Sequence, residues 1–364
     1  MASEVFFTNM RAKRGASLLE KLELLCRRAK VLDVISEKDL VALKIHFGEK
    51  GNTAYIRPTY ARRLIDLIKE KGGKPFFTDA NTLYVGSRAN AVDHLNTAVE
   101  NGFAYSVVGA PLVIADGLNG KDFIKVPIEG KHFNEVNIGS AAVNADVLIT
   151  LTHFKGHEAT GFGGALKNVG MGLGSRSGKQ QMHSDILPSV KLEKCIACQK
   201  CVSWCPAQAI TVEKQATIDQ EKCIGCGECT VTCNEGAIGI SWKSEANIIQ
   251  QKIAEYTLGA LKNKQGKSFF INFVMNVTPD CDCVSWSDAP IVGDIGILAS
   301  KDPVAIDQAS LDLVNKSQGL PGTRLEHVGA ADKFAAIHGI DGTVQLDHAE
   351  EIGLGKREYQ LIEV

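Results

Sequence analysis

The chain has 364 residues, 45% of them hydrophobic and 23% charged, with a formal net charge of −2. That is the composition of an ordinary globular protein long enough for two domains, and its charge gives no reason to expect nucleic acid or an anionic membrane as partner. No apolar run approaches the roughly 18 residues of a membrane span, and the N-terminus lacks the apolar core of a secretion signal; the cysteine usage described below, which needs reduced thiols, sets the expected location as cytoplasmic.

Residues 17–35 carry an apolar stripe at Leu18, Leu22, Leu25 and Val31 and predict an amphipathic helix, with Cys26 as a small buried hydrophobe. A strand over 41–47 is followed by a helix over 62–71, closed by Gly72-Gly73, and a second strand over 75–78. A helix over 87–100 stops at Asn101-Gly102, and 147–154 is a near-continuous apolar strand of the kind covered on both faces. Strands and helices alternating at this spacing imply an α/β fold, a mainly parallel sheet with helices on both faces.

Residues 156–179 are rich in glycine and read either as a flexible loop or as backbone able to approach a ligand. The run is not a Walker A loop, because Gln180 stands where Ser or Thr is required, and no dinucleotide fingerprint follows the first strand. Neither ATP hydrolysis nor NAD binding is expected.

The next stretch is the most informative. Cys195, Cys198, Cys201 and Cys205 fall in the pattern C-x2-C-x2-C-x3-C, and Cys223, Cys226, Cys229 and Cys233 repeat it at a constant offset of 28 residues. Lys194-Cys195-Ile196 matches Lys222-Cys223-Ile224, and Ala209-Ile210 matches Ala237-Ile238. This is the pattern of a bacterial-type ferredoxin holding two [4Fe–4S] clusters, in which the fourth cysteine of each run ligates the other cluster. The expected sets are Cys195, Cys198, Cys201 and Cys233 for one cluster, and Cys223, Cys226, Cys229 and Cys205 for the second. Structural zinc and disulfides are the alternatives; zinc sites rarely interleave two such runs, and disulfides need an oxidising compartment. Asn234 stands where the first run has Pro206.

The α/β pattern then resumes with a helix over 247–262, strands over 269–277 and 295–299, and a helix opening at Pro303 behind an Asp302 cap. An α+β ferredoxin domain, 188–245, is therefore expected as an insertion in a discontinuous α/β domain of 1–187 and 246–364. Beyond about Gly339 the chain reads as short and irregular, at most a closing hairpin.

In open parallel sheets ligands bind beyond the carboxyl ends of the strands, and polar residues concentrate there. Lys44 and His46 alternate along the first strand; Asp79 and Asn81 follow the second, with Tyr84 nearby; His153, Lys155 and His157 follow the third. Lys167, Arg176 and Lys179 are placed to balance an anion. Cys281 and Cys283 flank Asp282 and are open to three readings: a further metal or substrate contact, redox thiols, or a structural pair. Asp307, one turn into an otherwise apolar helix, needs a partner such as a lysine, a metal or a substrate donor.

The segments LKIHFGEKGN, FTDANTLY, THFKGHEATGFGGALKNVGMG, PDCDC and DPVAIDQAS around the double cysteine motif resemble the domain-of-unknown-function 362 family, and within it a subgroup of Fe–S centre proteins. The resemblance covers nearly the whole chain; it implies the inserted ferredoxin arrangement and no particular reaction. The expected function is that of a reductase of low-oxygen settings, passing electrons from two [4Fe–4S] clusters to a substrate or cofactor in the α/β domain, with a further metal or small organic ligand there as an option. His46, His153, His157 and Asp307 are its catalytic candidates, and Lys44, Asp79, Asn81, Lys155 and Lys167 its substrate-binding ones. The alternative is a non-catalytic electron carrier or a maturation factor that delivers a cofactor or metal to a partner protein. Expected partners are an external electron donor or acceptor protein and a small anionic substrate; a homodimer is compatible with the chain.

Overall fold

The computed structural model describes residues 2–84, 86–183, 188–205, 207–223, 228–239 and 245–364. β1 (Ser3–Asn9) opens the chain. Ser17 caps α1 (Leu18–Arg28) in a reciprocal box: its hydroxyl accepts from the Glu20 N–H, and the Glu20 carboxylate accepts from its own N–H. The expected 17–35 helix is broken after Arg28, because Lys30 adopts a left-handed backbone (φ 59), and a separate 3-10 turn covers Val31–Val34.

β2 (Leu40–Lys44), α2 (Pro58–Glu70) and β3 (Lys74–Asp79) form the first βαβ unit. Pro58 in the first turn starts α2 four residues before the expected 62. α3 (Ala91–Ala98) starts behind the Asn90 cap, later than the expected 87. α4 (Tyr105–Val108) leads into β4 (Leu112–Ile114). β5 (Phe123–Pro127) and β6 (Glu135–Gly139) form an antiparallel ribbon, and α5 (Ser140–Asn144) returns the chain to β7 (Val147–His153).

The glycine-rich run is ordered structure rather than a loop. It forms the hairpin β8 (Lys155–His157) and β9 (Gly161–Gly163), then α6 (Ala165–Leu173) and α7 (Arg176–His183). The cysteine-rich segment follows with β10 (Ser189–Val190), α8 (Lys200–Ser203), β11 (Ile210–Val212), β12 (Ala216–Ile218), α9 (Glu228–Thr232) and β13 (Ile238–Gly239). β10 pairs antiparallel with β13, so this excursion leaves and returns side by side. α10 (Ala246–Leu261), β14 (Ser268–Val274), β15 (Gly296–Ser300) and α11 (Pro303–Lys316) complete the α/β frame.

Among the described residues the main sheet has eight strands, closed at one edge by β16 (Tyr359–Glu363), in the order β16-β1-β15-β14-β7-β2-β3-β4. β14, β7, β2, β3 and β4 run parallel, and β15 is antiparallel to both of its neighbours, β14 and β1. Side chains alternate between two cores, as a period of two requires. Val41, Leu43, Ile149, Leu151, Phe269, Ile271 and Phe273 meet α1, α2 and α3 on one face. Ala42, Leu148, Phe270 and Val274 meet α6, α10, α11 and the C-terminal helix over 344–351 on the other. α10 crosses α6 closely at Gly170, where a Cβ would overlap the Ile253 carbonyl.

The expectation of an irregular C-terminal stretch is corrected. After α12 (Lys333–His338) and α13 (Val344–Glu351), β16 (Tyr359–Glu363) adds to the sheet parallel to β1, in the register Ser3↔Tyr359, and no hairpin forms. The open edge of β1 offers unpaired backbone groups, and β16 supplies partners for them. Among the described residues, no helix is long and apolar enough to cross a membrane.

Candidate functional site

Four adjacent parallel strands, β14, β7, β2 and β3, end on the same edge of the sheet, and their following loops meet there. Together with α6, α7 and α10 they enclose a cavity of about 340 Å³. β2 contributes Lys44 and, just past its end, His46; the loop after β3 contributes Tyr84 and Arg88; β8 contributes Lys155 and His157. Cys281 and Cys283 come from the loop after β14, and Lys167, Asn168, Lys179 and His183 from α6 and α7. Leu83, Met171, Ile249 and Ile253 make an apolar wall.

The cations of this cavity divide into compensated and uncompensated groups. Lys44 is buried with its Nζ 3.0 Å from Asp79 and 2.7 Å from the Asn168 side-chain oxygen. Burial holds the Lys44 ammonium below its usual range, while Asp79, facing Lys44 and His94, lies well below the usual carboxylate range despite its own burial. Arg88 is 1% exposed and donates to Glu49 at 3.1 Å and to Tyr84 Oη at 2.5 Å. Lys44, Asp79, Arg88 and Glu49 thus satisfy one another in a buried network.

Lys155 and Lys179 are different. Lys155 Nζ donates to the His153 carbonyl at 2.9 Å and Lys179 Nζ to the Gly174 carbonyl at 2.6 Å. Neither has a carboxylate within ion-pair distance among the described residues. Burial lowers the Lys179 ammonium to about 8, against the attraction of Asp116. Buried cations without counter-ions favour an anionic guest.

The histidines hold distinct positions. His46 Nδ1 accepts the Gly48 N–H at 3.0 Å, and burial keeps the ring well below its usual range. The neutral ring therefore carries its proton on Nε2. His157 Nδ1 accepts the Ala159 N–H at 3.1 Å, and burial likewise holds that ring well down. His153 does not reach the cavity. Its Nδ1 lies 2.9 Å from Asp282, and its Nε2 lies 3.0 Å from the Met275 and Asn276 carbonyls, so it fastens the Cys281–Cys283 loop to the end of β14.

Two further expected site residues are also placed elsewhere. Asn81 donates from its backbone and side chain to Asp116 at 2.9 Å and fastens the β3 loop to the turn after β4. Asp307 is fully buried and accepts from the Ala165 and Leu166 N–H groups at 2.7 and 2.9 Å and from Asn272 Nδ2 at 2.8 Å. The partner it needs is the start of α6 and an asparagine, and it lies outside the cavity lining. Arg88, Asn168, Glu158 and His183 line the cavity without having been singled out in the sequence. Only Asn168 had a readable signal, as a polar residue among the inward positions Leu166, Val169 and Gly170 of an apolar helix.

Cys281 and Cys283 belong to this cavity and not to the cysteine runs. Lys167 Nζ lies 3.5 Å from Cys281 Sγ. The Cys283 thiol and then Lys167 draw the Cys281 thiol well below its usual range, while the shared proton and burial push Cys283 up. Cys26 lies on the buried face of α1, where burial pushes its thiol up to about 12.

In the cysteine-rich segment, Cys195, Cys198 and Cys201 of the first run and Cys233 of the second line one small void. Ala197 and Gln199 between the first three adopt left-handed backbone (φ 56 and 60); Gly225 and Gly227 hold the matching positions of the second run. The Ala209 N–H donates to Cys205 Sγ at 3.2 Å, and its counterpart in the repeat, Ala237 N–H, donates to Cys233 Sγ at 3.3 Å. Ala216 N–H donates to Cys195 Sγ at 3.3 Å. Cys226 of the second set lies outside the described residues. α9, which carries Cys229, packs on α7, and Lys121 Nζ sits 3.4 Å from the centroid of Trp204, the neighbour of Cys205. Cys205 and Cys229 thus lie on the side of the α/β frame that supplies Lys179 and His183.

Among solved structures the chain is similar to the lactate racemase apoprotein from Thermoanaerobacterium thermosaccharolyticum, at 14% identity and a TM-score of 0.38, over 70% of this chain and 49% of that one. It is also similar to a protein from Thermotoga maritima, at 12% identity and a TM-score of 0.39, over 72% and 52%. The chain spans about half the length of these two structures. No curated protein matches it. The model of a family described as a domain of unknown function, DUF362, matches residues 41–312, and the chain belongs to that family.

Proposed function

We propose that the chain is an iron–sulfur redox protein of the Fe–S centre subgroup, a reductase whose acceptor is a small organic anion held in the cavity. In this reading 188–245 is a ferredoxin-like insertion in the α/β domain of 1–187 and 246–364. The observation that carries it is the meeting of three cysteines from one run with the fourth of the other around a single void. Such crossing of the two runs is how two-cluster ferredoxins divide their ligands. N–H donors on Cys195, Cys205 and Cys233 suit thiolates that carry charge. When bound, two [4Fe–4S] clusters would supply single electrons.

The cavity residues have separate tasks. Lys155 and Lys179 neutralise the anion, and Leu83, Met171, Ile249 and Ile253 cover its apolar part. His46 presents a neutral ring whose Nε2 proton is available for transfer. The Lys44–Asp79–Arg88 network fixes the cavity wall and needs no ligand to be satisfied. A cytoplasmic, oxygen-poor setting and an external electron-donor protein complete the reading.

Anaerobic purification with metal analysis and low-temperature paramagnetic resonance tests it. About eight irons per chain and a signal after dithionite are expected from two cubanes. Zinc in place of iron, or no signal, overturns the redox reading.

A further inference from the structure

We propose that His157, Cys281 and Cys283 form a mononuclear site for a borderline-soft divalent cation, zinc above all, whose open position faces the cavity. One nitrogen of His157 and the two sulfurs lie within 4.8 Å of one another. All three residues line the cavity, so a cation among them has protein on one side and room for a guest on the other. Two cysteines and a histidine with a fourth position open are a catalytic zinc donor set, whereas a structural zinc site takes a fourth protein ligand.

The site is built into the backbone. Gly156 N–H donates to the Thr278 carbonyl at 2.8 Å, and a Cβ at Gly156 would overlap the Pro279 carbonyl. This close approach brings His157 against the cysteine loop. Asp282, buried between the two cysteines, is held through its side chain by His153 and through its carbonyl by the Glu49 N–H at 3.0 Å. Tyr84 Oη donates to the Cys283 carbonyl at 3.0 Å. The sulfurs are thus held in place before any ion arrives, and supporting bonds of this kind are what fix metal ligands.

Charge also fits. Two thiolates and a neutral imidazole cancel a divalent cation, and Lys167 remains beside Cys281 as a donor to the coordinated sulfur. Ligation through His157 Nε2 would put the ring proton on Nδ1 and release the Ala159 N–H from its present bond, whereas ligation through Nδ1 would displace that bond directly. The turn that carries this bond begins at the exposed Glu158. An anion seated between Lys155 and Lys179 would meet the cation at its open position. The inference rests on reading the cavity as the acceptor site and is independent of the clusters.

The test is zinc content and X-ray absorption at the zinc edge on the full chain purified without oxygen, after incubation with zinc chloride and desalting. The expected result is one zinc per chain with two sulfurs near 2.3 Å and a nitrogen near 2.0–2.1 Å. That zinc is expected to be lost in Cys281→Ser/Cys283→Ser, with iron content unchanged and the melting temperature equal to that of the zinc-free wild type within a few degrees. His157→Ala, which leaves the cysteine loop intact, is expected to lose it on desalting as well. No retained zinc in the wild type, or zinc that persists in the double variant, overturns the site. Zinc bound by four sulfurs would sit in the cysteine runs and overturn the cluster reading; it overturns this site only if no zinc with a nitrogen ligand accompanies it.

Discussion

Asp307 shows how a single residue can look like a catalytic group and serve the fold. It accepts two backbone N–H groups at the start of α6 and the amide of Asn272, all at 2.9 Å or less. Burial raises its carboxyl to about 6, and these donors pull in the opposite direction. Asp307→Ala leaves three buried donors unmatched, and a loss of about 3 kcal/mol in urea unfolding is expected. A loss below about 0.5 kcal/mol would mean that water replaces the carboxylate without cost. Lys179 makes the complementary case for binding. Its ammonium, lowered to about 8 by burial, faces Asp116, Asp79, Lys44 and Arg88 and serves an anion only while charged. Affinity for a short-chain carboxylate such as hexanoate, measured by calorimetry, should therefore fall as pH rises above about 8. Lys179→Gln should bind more weakly at neutral pH and lose that dependence. A flat wild-type profile from about pH 6 to pH 9 would remove Lys179 from the anion site.

At the scale of elements, Gly156 fixes how β8 docks on the cysteine loop. Gly156→Ala places a methyl group against the Pro279 carbonyl, and backbone cannot move aside as a side-chain end can. A destabilisation of roughly 1–3 kcal/mol is expected, together with weaker zinc retention; unchanged melting would show that the hairpin can slide. The sequence made the frame legible where its signals were local. β2, β3, β7, β14 and the Asp302-capped α11 lie close to their expected places because apolar runs, helix starts and caps are written in neighbouring residues. β1 and β16 carry weaker signals, because both lie at one side of the sheet with few buried positions and are stabilised by pairing with distant chain, Ser3 against Tyr359. The glycine-rich run was ambiguous for the opposite reason. Its glycines serve close contacts such as Gly170 against Ile253, and periodicity cannot reveal a contact with another element. The same limit applies to the cavity. Lys44 and Asp79 close their strands, and His46, Lys155, His157 and the two cysteines follow strand ends, where they were readable; Lys167, inside α6, was readable only as a cation in the glycine-rich run. Arg88 reaches Glu49 and Asp79 from an irregular loop that carries no pattern.

At the scale of the whole molecule, three cores are seen among the described residues, and they are unequal. Two large ones clothe the faces of the eight-stranded sheet, and the third holds, among the described residues, Cys201, Ile210, Ala216, Cys229 and Ile238, two of them cysteines. So small an apolar core cannot hold about 50 residues in place by burial alone, whereas metal binding can supply the folding free energy. The loops that form the cavity belong to the sheet, and the cysteine-rich segment joins it through the β10–β13 clasp and the α7–α9 contact. If the proposed two clusters are present, stripping iron with a chelator under oxidising conditions should therefore leave the main thermal transition within a few degrees of its starting value. The same treatment should open the segment to trypsin at Lys191, Lys194, Lys200, Lys214 and Lys222, all of them exposed. Mass spectrometry of the digest should find the early cuts between residues 188 and 239, with the flanking fragments still associated. If iron loss instead melts the whole chain in one step, or leaves those lysines as resistant as before, the cysteine-rich segment does not depend on its metal separately from the α/β frame.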